Sequence, residues 1–302
     1  MSTSGNPWEQ GTQVIADHPL NNADAFLREL GPQAPWWQPD PSRWLFRGHS
    51  SASYELKAKA HRDTNDYCAA YGVAVRAPSS VDPQWSIDAD RLSALVKAFG
   101  AALDAAGLPI PSPSPSLELT ARNSKTGDPE PGAMPLVALM QHLGLPTPWL
   151  DWTVQARVGA YFAAVGAAEK PKRITDIVVW ALRRDFVEEA DELRSGIKLV
   201  TAPRATNARL HAQGGVFTWL RGDDAHAKTV DGLVRELVAK PALWHAHRLP
   251  VLPAMRRFSL PSTEAPKLLR LLSYEGVTGA TVFPGYDGVV QGMQERALWD
   301  RP

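Results

Sequence analysis

Three short segments combine residue types that can hold a ligand and act on it. In Trp44-Leu45-Phe46-Arg47-Gly48-His49 an arginine follows three apolar residues, so a short strand would deliver its guanidinium at its end, toward an opening. A planar guanidinium captures phosphate or carboxylate through two parallel hydrogen bonds, and the glycine beside it lets a ligand approach the backbone. An arginine paired with a buried acid is the equally weighted structural alternative. The second segment, Gln141 to Thr153, repeats polar groups inside an apolar run. A buried polar group left without a hydrogen bond costs about 1–3 kcal/mol, so Gln141, His142, Asp151 and Thr153 need partners or a ligand. Taken separately, Asp151 also fits a helix cap and Thr153 a first helical turn. The third segment sets Gln213 and the pair Gly214-Gly215 at the mouth of a strand, where a side-chain amide could read a base or a carboxamide. Taken alone, a plain tight turn before the strand is the stronger reading of this segment.

The elements that must position these groups follow from local pattern. Asp24 to Leu30 has helical spacing and stops at Gly31-Pro32; Arg91 to Ala106 sets Leu92, Leu95, Phe99 and Leu103 on one face and closes at Gly107. Leu136 to Leu143 predicts a buried helix that Pro135 can start and Gly144 ends. Trp149 to Trp152 reads as extended, and Ala156 to Ala168 as the next helix. Ile177 to Leu182 is the strongest strand, because its apolar run is unbroken, as in a strand covered on both faces. Gly215 to Leu220, Arg256 to Leu260 and Thr278 to Phe283 predict further strands, with a helix over Ala265 to Tyr274 and a turn at Asp287-Gly288. These elements predict an α+β class with a mixed sheet and flanking helices. A helical and irregular segment is expected over 1–39, a main domain over 40–302, and a Pro/Ser/Gly-rich insertion near 108–135.

Composition narrows the choice of partner. Lysine plus arginine and aspartate plus glutamate stand at 32 each, so no overall field draws the 302-residue chain toward nucleic acid or anionic lipid, although a local basic patch is compatible with that balance. One cysteine, Cys68, excludes an internal disulfide framework and a cysteine metal cluster. His245 and His247 have strand-like spacing but no third ligand close in sequence, and no metal is expected. No run approaches the roughly 18 apolar residues of a membrane span, which predicts a soluble, cytoplasmic protein.

Taken together and in order, Phe46-Arg47-Gly48, Gln141-His142-Leu143-Gly144-Leu145-Pro146-Thr147, Leu150-Asp151-Trp152-Thr153, Ala160-Tyr161-Phe162-Ala163, Ala212-Gln213-Gly214 and Phe217 resemble the signature of the FRG-domain family over about residues 40 to 290. The chain departs from it with His49 where the family commonly has Gln, and with Pro148-Trp149 before Leu150-Asp151. That pattern is in turn similar to ADP-ribosyltransferases of the Arg/Ser-Thr-Ser/Glu type. The resemblance implies a split mixed sheet and NAD as substrate. It assigns Arg47, Gly48, His49, Thr153 and Tyr161 to NAD binding and Asp151, Thr153 and Gln213 to catalysis. Gly215 stands where the usual catalytic glutamate would be, leaving Glu275 and Glu295 as replacements.

On that resemblance the chain would be a transferase of a bacterial toxin or phage-defence type. It would modify a macromolecule, with RNA or DNA favoured over protein arginine because of Gln213, and an antitoxin or regulatory protein could control it. The alternative is a non-catalytic ligand-sensing or protein-binding module that keeps the Arg47 cleft. A hydrolase with His142 or His211 as general base is a distant third reading, since no nucleophile motif accompanies either.

Overall fold

The structure is a computed structural model that describes residues 13–37, 40–62, 67–75, 87–111, 131–169, 176–205, 207–221, 225–240 and 253–299. In chain order its elements are β1 (Ile15–Pro19), α1 (Ala23–Glu29), β2 (Trp44–His49), α2 (Ile87–Ala105), α3 (Met134–His142), β3 (Trp149–Thr153), α4 (Ala156–Ala168), β4 (Asp176–Arg183), α5 (Arg184–Glu192), β5 (Ile197–Val200), α6 (Ala208–Ala212), β6 (Gly215–Leu220), α7 (Val230–Val238), β7 (Met255–Pro261), α8 (Ala265–Tyr274), α9 (Gly279–Val282) and α10 (Tyr286–Arg296). The chain divides into two compact units: Met1–Tyr54 with Trp152–Leu193 and Asp231–Pro302, and Glu55–Asp151 with Arg194–Val230.

In the first unit the strands lie in the order β1-β7-β4-β2. β1 runs parallel to β7, while β7 is antiparallel to β4 and β4 to β2, so the sheet is mixed and the α+β class is as expected. One face carries Phe46, Val179, Ala181, Phe258 and Leu260 into a core shared with α1, α4 and α8. Strand alternation puts every second residue there, and the apolar faces of the three helices cover it. α4 lies unusually close, because Gly48 in β2 and Gly159 in α4 meet backbone to backbone: a Cβ on Gly48 would fall 2.0 Å from the Gly159 carbonyl oxygen.

The second unit pairs β5 antiparallel with β6, with Val200 opposite Phe217. Its core gathers Leu92, Leu95 and Val96 from α2, Leu136, Val137 and Met140 from α3, and Trp149, Phe217 and Trp219 from the strands. Pro135 sits in the first turn of α3, where its missing N–H removes no bond.

The structure corrects three sequence expectations. The strand expected over Thr278 to Phe283 is the short helix α9. Gly276 turns the chain with φ of 78°, the Thr278 N–H donates to Thr281 Oγ1, and that hydroxyl donates back to the Gly276 carbonyl, so local bonds outweigh β-branched propensity. Asp287-Gly288 is not a turn but the start of α10. β2 extends through Arg47 and Gly48 to His49, because both of its last two residues keep partners in β4, so Arg47 projects from within the strand rather than from its end. Most of the expected insertion, residues 112–130, lies outside the described residues, as do His245 and His247.

Candidate functional site

Directly paired residues on neighbouring strands project their side chains to the same face. Asp17 pairs with Arg257, Arg257 with Trp180, and Trp180 with Arg47, so these four form a row across β1, β7, β4 and β2 on the face opposite α4. The Arg257 guanidinium carbon lies 5.8 Å from the Trp180 ring centroid, and Arg257 Nη1 donates to Asp17 Oδ1 at 3.4 Å. At the other end Arg47 Nε donates to His49 Nε2 at 3.0 Å, both being two residues apart on one strand face. His49 itself is buried and its ring meets Tyr54 edge-on. Arg47, Trp180 and Arg257 are each half-buried, so a tryptophan stands between two arginines in the row, within reach of solvent.

Trp180 and Arg257 were not among the residues singled out in the sequence. The one available signal was that Trp180 is the large polar-tipped residue within the apolar run of β4, where it is the only interior position not buried. Its partners in the row, Arg47 and Arg257, lie 133 and 77 residues from it in the chain, which local pattern does not reveal.

Other residues assigned to NAD by resemblance lie on the opposite face. Thr153 pairs with Phe46, so it shares the α4 side of the sheet; it is buried, and its Oγ1 accepts the Gln155 N–H at 2.9 Å as α4 begins. The space left by the absent Gly48 side chain is occupied by α4, with the Ala163 nitrogen 2.6 Å from where a Cβ would stand. Tyr161 is fully buried, its hydroxyl donating to Glu295 and accepting from Gln291 Nε2 at 3.0 Å. Glu295 also accepts the Gly279 N–H at 3.0 Å. Burial first, and the bond to Glu295 second, push the Tyr161 hydroxyl pKa up. Burial likewise raises the Glu295 carboxyl pKa, outweighing the two donors that favour its charged form. A cavity of about 350 Å³ beside it is lined by Glu169, Gln291, Gln294 and Glu295 with Ala297 and Leu298. Glu275, the other candidate acid, is ion-paired with Arg157 at 2.6 Å.

Asp151 and Gln213 belong to the second unit. Asp151 is the one exposed residue of β3, and its Oδ2 accepts from Gln141 Nε2 at 2.8 Å. Gln141 in turn donates to the Trp149 carbonyl at 3.3 Å and accepts from Thr147, so the polar residues of this segment satisfy one another, as burial requires. His142 Nε2 meets Arg209 Nη1. Gln213 caps the C-terminus of α6, its N–H donating to the Arg209 carbonyl at 2.9 Å, and Gly214 follows with φ of 56°. The tight turn is therefore present, with Gly215 packed under Leu210 at its exit.

Among the described residues no group of three His, Cys, Asp or Glu side chains is placed to hold a metal, and no helix is long and apolar enough to cross a membrane. Residues 42–172 match the family model of the FRG domain, a span that holds Arg47, Gly48, His49, Asp151, Thr153 and Tyr161 but neither Trp180, Gln213 nor Arg257. No curated protein matches the chain significantly, and no solved structure does.

Proposed function

We propose that this chain, with an FRG domain as its starting point, is a ligand-recognition protein whose Arg47 face holds a phosphate-bearing, planar ligand, NAD being the first candidate. The observation that supports it is the row Arg47, Trp180, Arg257, in which a tryptophan stands between two arginines on one sheet face. An indole face stacks on a planar ring, and an arginine beside it can hold a phosphate through two hydrogen bonds. Asp17 steadies Arg257 from the far side. Recognition is preferred over group transfer because Thr153 and Tyr161 lie on the other sheet face from Arg47, and because Gly215 supplies no carboxylate.

A second reading, NAD-dependent ADP-ribosyl transfer to a macromolecular acceptor in a toxin or defence setting, is favoured by one feature. Asp151 is an exposed carboxylate on an otherwise buried strand, held by Gln141, of the kind that could stabilise the oxocarbenium cation formed when the nicotinamide bond breaks. In that reading Gln213 orients a nucleic-acid acceptor.

Thermal unfolding with NAD, with ATP and without ligand tests the first reading. At a hundredfold excess over Kd a ligand specific for the native state adds about 2.7 kcal/mol of stability. The shift should vanish in Arg47→Ala and in Trp180→Ala, each of which should still melt close to the parent. An unchanged shift in both variants removes the Arg47 face from the binding site. Labelled NAD incubated with lysate reads the transfer reaction separately: label in RNA or DNA that disappears in Asp151→Asn and Gln213→Ala would favour the second reading.

A further inference from the structure

α10 is inverted relative to an ordinary surface helix. Its small and polar side is the one that docks: Gly288 lies against the Phe283 carbonyl, Gly292 against Ala280, and Glu295 accepts the Gly279 N–H. Its large apolar residues face water, with Tyr286 95%, Val289 52%, Val290 53% and Met293 67% exposed. They fall at i, i+3, i+4 and i+7, one continuous stripe of a helix. The glycine contacts leave no room for the helix to roll and bury that stripe, since any larger atom at Gly288 would meet backbone. Such a stripe on a fixed helix marks an interaction surface.

We propose that the stripe is the contact of a symmetric dimer, in which α10 of one copy packs antiparallel on α10 of a second. The spacing reads the same in both directions. A two-fold axis between Val289 and Val290 therefore sets Tyr286 of each copy on Met293 of the other, a ring-to-sulfur contact, and the valines on one another. Antiparallel packing also opposes the helix dipoles, and the stripe itself contains no charge. The flanking Asp287 and Arg296 are exposed at opposite ends, so no like charges come to face one another, and the chain's net charge of zero sets up no repulsion between copies. The four side chains offer about 500 Å² per copy, hence roughly 1,000 Å² in the pair, the lower bound for a specific interface. Dimerisation is accordingly weak and concentration-dependent. An anionic membrane is the poorer occupant, because Arg296 is the one basic residue of the helix.

Sedimentation of the full chain over a wide concentration range should show a reversible monomer–dimer equilibrium. Val290→Glu should raise the dimer dissociation constant at least tenfold with the circular dichroism spectrum unchanged. Tyr286→Lys and Met293→Glu should each do the same alone, whereas the double variant should recover dimerisation, since the two-fold pairs each new lysine with a new glutamate. A parent chain that is monomeric throughout overturns the proposal, as does a dimer indifferent to all three single changes. A double variant that stays monomeric while its single parents are well folded overturns the antiparallel register. Should the chain be monomeric and Val290→Glu instead abolish capture of another protein, the stripe belongs to a foreign partner and the self-pairing is wrong.

Discussion

Gly48 and Glu295 show how a residue's type can suggest one use and its surroundings impose another. A glycine after an arginine is compatible with close approach by a ligand, yet here the approaching backbone is that of α4. Gly48→Ala should lower stability by about 3 kcal/mol or more, because the clash is with backbone that cannot turn aside, and urea unfolding would measure it. A loss below about 1 kcal/mol would mean that α4 shifts easily. For Glu295 burial wins over two hydrogen bonds, so its carboxyl titrates above the usual value near 4.5 in the folded chain. Between that value and the raised one the folded state binds more protons than the unfolded state. This group's stabilising contribution is therefore complete below about pH 4.5 and is lost as pH rises through the folded pKa. Glu295→Gln should gain stability relative to the parent as pH increases from 4 to 8, and parallel denaturation curves across that range would contradict it. Glu295 was visible in the sequence only as an acid without a place; the Tyr161 bond that gives it one joins residues 134 positions apart.

At the level of elements, the helices and strands with a strong period were legible. The sequence bounds of α4 and α8 agree with the structure, because apolar spacing acts over a few residues, helped in α8 by Pro266 in its first turn and Gly276 just past its end. β1 and β5 escaped because short strands of four or five residues with mixed burial have little periodic signal. α9 was misread because Thr281-Val282 has β propensity, which the Thr278–Thr281 capping box and the bond from Thr281 to the Gly276 carbonyl outweigh. α6 is equally small and depends on its cap: Asn207 Oδ1 accepts the Leu210 N–H at 2.9 Å. Asn207→Ala should cost about 1 kcal/mol and loosen the Gln213 turn, which faster amide exchange at Gln213 and Gly214 would report. Unchanged exchange there would show that Leu210 alone anchors the helix.

For the whole molecule, the class could be inferred and the strand order could not. Each strand carries its own pattern, but nothing local tells β4 that β7 and β2 are its neighbours, so the row from Asp17 to Arg47 is a product of topology. The same topology has a consequence in time. Among the described residues β1 is paired along its length by β7, which follows it by about 240 residues, and β7 is also the source of Arg257. At roughly 10 residues per second of synthesis, the first strand waits more than 20 s for its partner. A ribosome-arrested chain that stops before Met255 should leave Ile15–Pro19 open to protease, while the same chain extended past Pro261 should protect it; early protection would mean that another strand stands in. The row is therefore complete only once β7 has been made, and a chain stopped before Met255 carries Arg47 and Trp180 without Arg257, the second arginine of the proposed site.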